Sequence, residues 1–299
     1  MNSTIAVLAA LDGISYAALV FLVSVGLSLI FGVLRIVNVA HGSLYAYGAY
    51  LAATLSLLVT PISPWLTFPM LLIAAVTIGV VIGGALERFL LRPVYGQEEV
   101  LQLLITFAVF MIMDNLQRMI WGVQPIFASE PVKLLPNVRV LGVSYTSYQV
   151  ILLPAVAILT MLCLRYFLRR TLSGAVILAV TEDREAATTI GIDARRVFLV
   201  TFMIGATLAA LGGALASPTT SLVPGMGTDM IVLSFAVAAT AGLGQIEGAA
   251  LTALLIGLVR AYVIYLQPEF EVLVPYLLMV LVLLIKPLGL FGTSRVRKI

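Results

Sequence analysis

The chain has 299 residues, of which 62% are hydrophobic and only 10% charged, and that leaves too little polar surface to cover a globule in water. A single cysteine, Cys163, excludes an internal disulfide, and with one histidine, His41, there is no metal site of ordinary ligand count, so no metal or other cofactor is expected. The net charge of +3 belongs to seventeen scattered basic residues, a pattern that in a membrane protein reflects orientation rather than nucleic-acid binding.

In chain order, the opening MNSTIAVLAALDG lacks a basic leader, carries Asp12 and offers no small-residue cleavage site, so the first helix is expected to be retained. A hydrocarbon core of about 30 Å asks for roughly 20 apolar residues of helix. On that measure nine segments (between eight and ten) are expected near 14–34, 43–59, 67–86, 100–121, 148–168, 197–216, 229–243, 248–266 and 272–287. The fold class is all-α, a polytopic transmembrane helical protein built as a single transmembrane domain over 1–299.

Lys and Arg are retained on the cytoplasmic side during insertion. An arrangement with the N-terminus outside and the C-terminus inside places all but four of the 17 basic residues in the cytoplasm, the exceptions being Arg118, Lys133, Arg139 and Arg260. The opposite arrangement would translocate the whole cluster from Arg165 to Arg196. Two loops stand out: an external one of about 122–147, with Pro125, Pro131 and Pro136 followed by a short extended piece, and an internal one of about 169–196. A Gly-rich helix, an irregular link and a short apolar helix recur at 26–59 and at 205–243 with opposite starting sides, as an inverted repeat requires.

Three groups of residues carry functional interest. In GVLRIVNVAHGSLYAYGAY, residues 32–50, Asn38, His41 and Gly42 interrupt an apolar run; irregular backbone at membrane depth must be buried in protein or line a cavity, so these are candidates for the substrate path, against a polar turn capped by Asn38. In TEDREAATTIGIDARR, residues 181–196, the charges of Glu182, Asp183, Arg184 and Glu185 precede Ala187 and Gly191 on one helical face, which suits a docking surface or a solvated loop. Within the spans, Asp114 and Arg118 stand four apart and read as a neutralising pair, whereas Arg260 in the eighth segment has no partner nearby in sequence.

GLSLIFGVLRIVNVAHGSLYAYGAY, ERFLLRPV at 87–94, TEDREAATTIGIDARRV, AGLGQIEGA at 241–249 and KPLGLFG at 286–292, in this order over residues 13–292, resemble the LivH-type permeases of branched-chain amino-acid importers. Glu185, Ala186, Ala187 and Gly191 are similar to the pattern by which importer permeases of the ATP-binding-cassette class contact their ATPases. The resemblance departs at Val39, at Ala175 and Leu178 where basic residues are common, and at Ala241 and Gln245.

What the resemblance implies is a transport subunit and not an enzyme, in a bacterial-type cytoplasmic membrane, surrounded by lipid. Its partners would be a second related permease, two ATPase subunits and an extracytoplasmic substrate-binding protein. The absence of a G-x-x-x-x-G-K-[ST] phosphate loop agrees with ATP being bound elsewhere. The same architecture serving urea, short amides or another amino acid stays open, as does an ion-coupled secondary transporter. An intramembrane protease is disfavoured because Ser28 lacks a nucleophile motif.

Overall fold

The computed structural model describes residues 3–140 and 142–292, and Arg295, Arg297 and Lys298 of the basic C-terminus lie outside the described residues. Every one of the nine apolar segments is a helix. They are α1 (Ser3–Leu34), α2 (His41–Val59), α3 (Thr67–Thr77), α4 (Glu99–Trp121), α6 (Leu153–Arg170), α9 (Ala194–Ala216), α10 (Met226–Ala241), α11 (Ile246–Leu266) and α12 (Val274–Ile285). Three shorter helices, α5 (Glu130–Lys133), α7 (Leu172–Glu182) and α8 (Arg184–Thr189), lie in the two long loops. Among the described residues seven helical runs are long and apolar enough to cross a membrane unaided, while α10 and α12, of 16 and 12 residues, are shorter.

Three boundaries differ from expectation. Helix α1 already begins at Ser3, because Ala9 packs in the core, Tyr262 donates a hydrogen bond to the Ala6 carbonyl at 3.1 Å, and Tyr265 donates one to the Asp12 carboxylate at 2.7 Å. Helix α3 opens a 31-residue run, Pro64–Val94, whose later turns are π-helical at Ile78–Gly83 and Leu86–Leu91. The wider turns set Gly79 and Gly83 against Thr207 and Ala206 of α9. Helix α7 was expected only as part of a loop; at 11 residues it is too short to cross, and it folds back on α6 because Gly174 lets its backbone touch that of Phe167 and Leu168.

The bundle is held by close helix crossings at small residues, which lipid-facing helices need because lipid tails solvate Leu as well as another helix does. Gly13 of α1 meets Gly257 of α11, Gly26 of α1 meets Gly205 of α9, Gly48 of α2 meets Ala210 of α9, and Gly213 of α9 meets the Tyr45 backbone. Gly42 of α2 and Gly227 of α10 lie against each other in the same way. The reciprocal contacts Gly26–Gly205 and Gly42–Gly227 join the segment 26–59 to the segment 205–243.

Between α4 and α6 the extended piece is an antiparallel hairpin, β1 (Asn137–Val140) and β2 (Val143–Thr146), with Asn137 opposite Thr146 and Val140 opposite Val143. Ile126, before it, exchanges two backbone hydrogen bonds with Leu222 in the α9–α10 link. The long loop is thereby stitched onto the bundle. The helices alternate in direction, so Arg35, Arg92, Arg169, Arg184 and Lys286 gather at one end, and the hairpin closes the other.

Gly213→Val places a methyl-bearing carbon against the Tyr45 carbonyl and is expected to cost on the order of 1–3 kcal/mol or more. At Gly84 an added Cβ meets only the Met203 side chain, at 3.6 Å, so Gly84→Ala is expected to be neutral or slightly stabilising. Thermal melts of the two detergent-purified variants would separate these outcomes.

Candidate functional site

The α1–α2 break is built by a change of backbone direction at Arg35, which has a left-handed φ of 56°. The short extended stretch that follows returns the chain into the bundle. His41, fully buried, reaches the middle of α1, where its Nε2 lies 3.0 Å from the Val23 carbonyl. A carbonyl can only accept, so this nitrogen carries a proton, while Nδ1 has no partner among the described residues. Asn38 is 1% exposed and neither amide atom has a partner, and Ser24, Ser28 and Ser43 add unpaired buried hydroxyls.

The space beside Asn38 is small, about 10 Å³, bounded by Leu86, Leu91, Thr106 and Phe202. Asn38, His41 and Gly42 are thus brought together, but in a closed, packed centre and not along an open channel. Asn38 makes no capping bond; α2 begins without a side-chain cap. The large cavity, about 870 Å³, lies at the arginine-rich end, between the end of α1 at Gly32 and Arg35, the start of α4 at Glu99 and Gln102, and the loop after α10 at Leu243 to Gln245.

The second candidate lies at the same end. Asp183 caps α8 by accepting a hydrogen bond from the Ala186 amide at 3.0 Å, and Gly191 ends the turn with φ 91°. Glu182 closes α7, while Arg184, Glu185 and Ala186 are exposed. The shared face of Ala187 and Gly191 does not form: α8 stops at Thr189, Ala187 turns inward at 3% exposure, and Gly191 follows the helix with open space around it. What α8 presents outward is Glu185, Thr188 and the 77% exposed Ile190.

Inward, α8 is fastened to the helix ends. The Arg184 guanidinium sits 5.0 Å over the Phe198 ring of α9, and Tyr95 meets the same ring edge-on at 5.2 Å. Tyr95 in turn donates a hydrogen bond to Glu87 at 3.0 Å, and Arg92 pairs with that carboxylate at 3.1 Å. Glu87 is wholly buried at the end of the third span, and these two partners satisfy one carboxylate oxygen each. Burial and the nearby Glu87 carboxylate push the Tyr95 hydroxyl well above its usual range, which keeps it a donor. Sequence reading registered Glu87 only inside a motif; its role depends on burial, which no local pattern announced.

The intramembrane charges are also resolved. Arg118 and Asp114 pair at 2.8 Å as their spacing indicates. Arg260, expected without a local partner, has two: it pairs with Glu271 in the turn before α12, and it stacks 3.9 Å over the Tyr16 ring. The chain reverses between α11 and α12, and that brings Glu271 back over the last turns of α11.

Residues 9–283 match the family described as branched-chain amino acid transport system, permease component. The chain belongs to that permease family. It is 28% identical over 299 residues to the high-affinity branched-chain amino acid transport system permease protein LivH of Escherichia coli, covering 96% of each chain. LivH of Salmonella typhimurium and the permease protein BraD of Pseudomonas aeruginosa are each 27% identical over 96% of both chains. No solved structure matches. Permease-family membership and the apolar helices together make this a multi-pass membrane transport subunit, and not an enzyme.

Tyr95→Phe removes one of the two partners of the buried Glu87 carboxylate and is expected to cost about 1.5–3 kcal/mol. The loss should appear as a lower unfolding midpoint, and equal midpoints for the two proteins would rule out the hydrogen bond as a stabilising contact.

Proposed function

We propose that this chain is one of two related permease subunits of an ATP-binding-cassette importer for branched-chain amino acids. Two ATPases dock at the arginine-rich end, and an extracytoplasmic binding protein delivers substrate at the hairpin end. The observation that carries the reading is the family match across residues 9–283, spanning every one of the nine helices. The N-terminus is outside and the C-terminus cytoplasmic, which the gathering of Arg35, Arg92, Arg169, Arg184 and Lys286 at one end supports.

In this arrangement the segment from Glu182 to Ile192 is the coupling element. Asp183 sets its start, Glu185 and Ile190 face the motor, and Arg184 ties it through Phe198 and Tyr95 to the ends of α9 and the third span. Motion of the ATPases thus reaches helices that cross α1 and α2 at glycines, around the Asn38–Gly42 break. That break borders the substrate path, and its unpaired polar atoms make it a place where packing can change at small cost. A transport-wide reading for urea or short amides is separated from this one by competition uptake with leucine, isoleucine, valine and urea.

Gly191→Ala adds only backbone strain, whereas Gly191→Trp adds bulk where this chain has open space. In the assembled transporter the tryptophan variant is expected to lose transport-coupled ATP hydrolysis while the alanine variant keeps most of it; equal coupling in both would remove the docking role. Asn38→Ala and His41→Ala are expected to change leucine import kinetics, and unchanged kinetics in both would take the break out of the path.

A further inference from the structure

The reading above leaves α10 unexplained. One face of it is buried: Gly227, Ile231, Ser234 and Ala238 pack inward, with Gly42 against Gly227 and Ile231. The opposite face is less covered, most of all in its first two turns. Thr228, Asp229 and Val232 are exposed, Phe235 and Ala239 are half-buried, and these positions recur at helical spacing. At its far end Ala239, with Leu243 beyond it, forms part of the wall of the 870 Å³ cavity.

The near end of this stripe lies at depth. Gly227 abuts Gly42, the neighbour of His41, whose ring touches the middle of α1 at Val23. Asp229 therefore stands within the thickness of the bundle, in the first turn of α10, where a carboxylate facing lipid is costly and calls for a polar or charged partner. Arg260, stacked on Tyr16, is already engaged by Glu271. Asp229 takes part in none of the ion pairs among the described residues.

We propose that the open face of α10, from Asp229 to Leu243, is one wall of the amino-acid path, and that the Asp229 carboxylate receives the substrate's ammonium group. An ammonium group brings positive charge and N–H donors to a carboxylate that no cation of the described residues pairs with. The apolar positions Val232 and Phe235 then offer the aliphatic side chain a surface on the way to the cavity. This rests on the importer reading; the second permease supplies the facing wall.

The test uses the full transporter in proteoliposomes with saturating binding protein. Asp229→Asn is expected to lower leucine import by roughly tenfold or more, the loss of one charge-assisted contact, and Asp229→Glu to restore most of it. Assembly with the ATPases should stay at the wild-type level in both. Import by Asp229→Asn at the wild-type rate overturns the site while leaving the importer reading intact, whereas wild-type protein that imports no leucine overturns both. If replacing sodium with choline reproduces the Asp229→Asn loss in wild type, the carboxylate holds a metal cation and the proposal fails. In a Cys163→Ser background, Val232→Cys and Ala239→Cys should react with a charged methanethiosulfonate, with leucine and binding protein protecting them, while Leu159→Cys on the exposed side of α6 stays inert. A Val232→Cys as inert as Leu159→Cys overturns the path.

Discussion

A chain in lipid has no water to satisfy its backbone, and that constraint organises this molecule. Between Leu34 and His41 the helix is lost, so the exposed amides and carbonyls of that stretch must find cover inside the protein. They find it because α1, α2, α9 and α10 approach to backbone contact, around the break at Gly26, Gly42, Gly205 and Gly227. Larger side chains at these crossings would push the helices apart and expose the break. The remaining helices pack around this centre: α11 along α1, and the third span along α9 through Gly79 and Gly83.

The same centre explains how the two ends of the bundle can communicate. At the arginine-rich end α8 is not a free loop; its Arg184 stacks on Phe198, which meets Tyr95, which holds the buried Glu87. In the proposed importer, displacement of α8 is passed to α9 and the third span together through these contacts. Both helices run straight into the glycine crossings, where backbones touch without interlocking side chains. Contacts of that kind slide more readily than interdigitated leucines, since few atoms must change rotamer.

The sequence showed much of this in outline. Nine helical segments, the interruption at Asn38 to Gly42, the extended piece in the outer loop and the Asp114–Arg118 pair all follow from local patterns. Ala187 is the instructive failure: helical spacing joined it to Gly191 on a docking face, yet the helix ends at Thr189 and Ala187 is claimed by the chain's own packing. Asp229 escaped notice for the opposite reason. It sits one turn into a short apolar helix, and in sequence looks like an ordinary first-turn acid stabilised by the helix dipole.

Hydrophobic run length, loop charge and the order of motifs are one-dimensional quantities, and by themselves they determined the class of protein, the places of the nine apolar helical segments and the family. Partnership is three-dimensional. Arg260 gained Glu271 because the chain doubles back after α11, the Asn38–His41 break closed because Gly227 arrived from a helix nearly two hundred residues away, and α10 kept one face partly open because no other helix among the described residues covers it fully. Which polar groups are paired, which are stranded and which look outward is set by the helix crossings, and those exist only once the bundle is assembled.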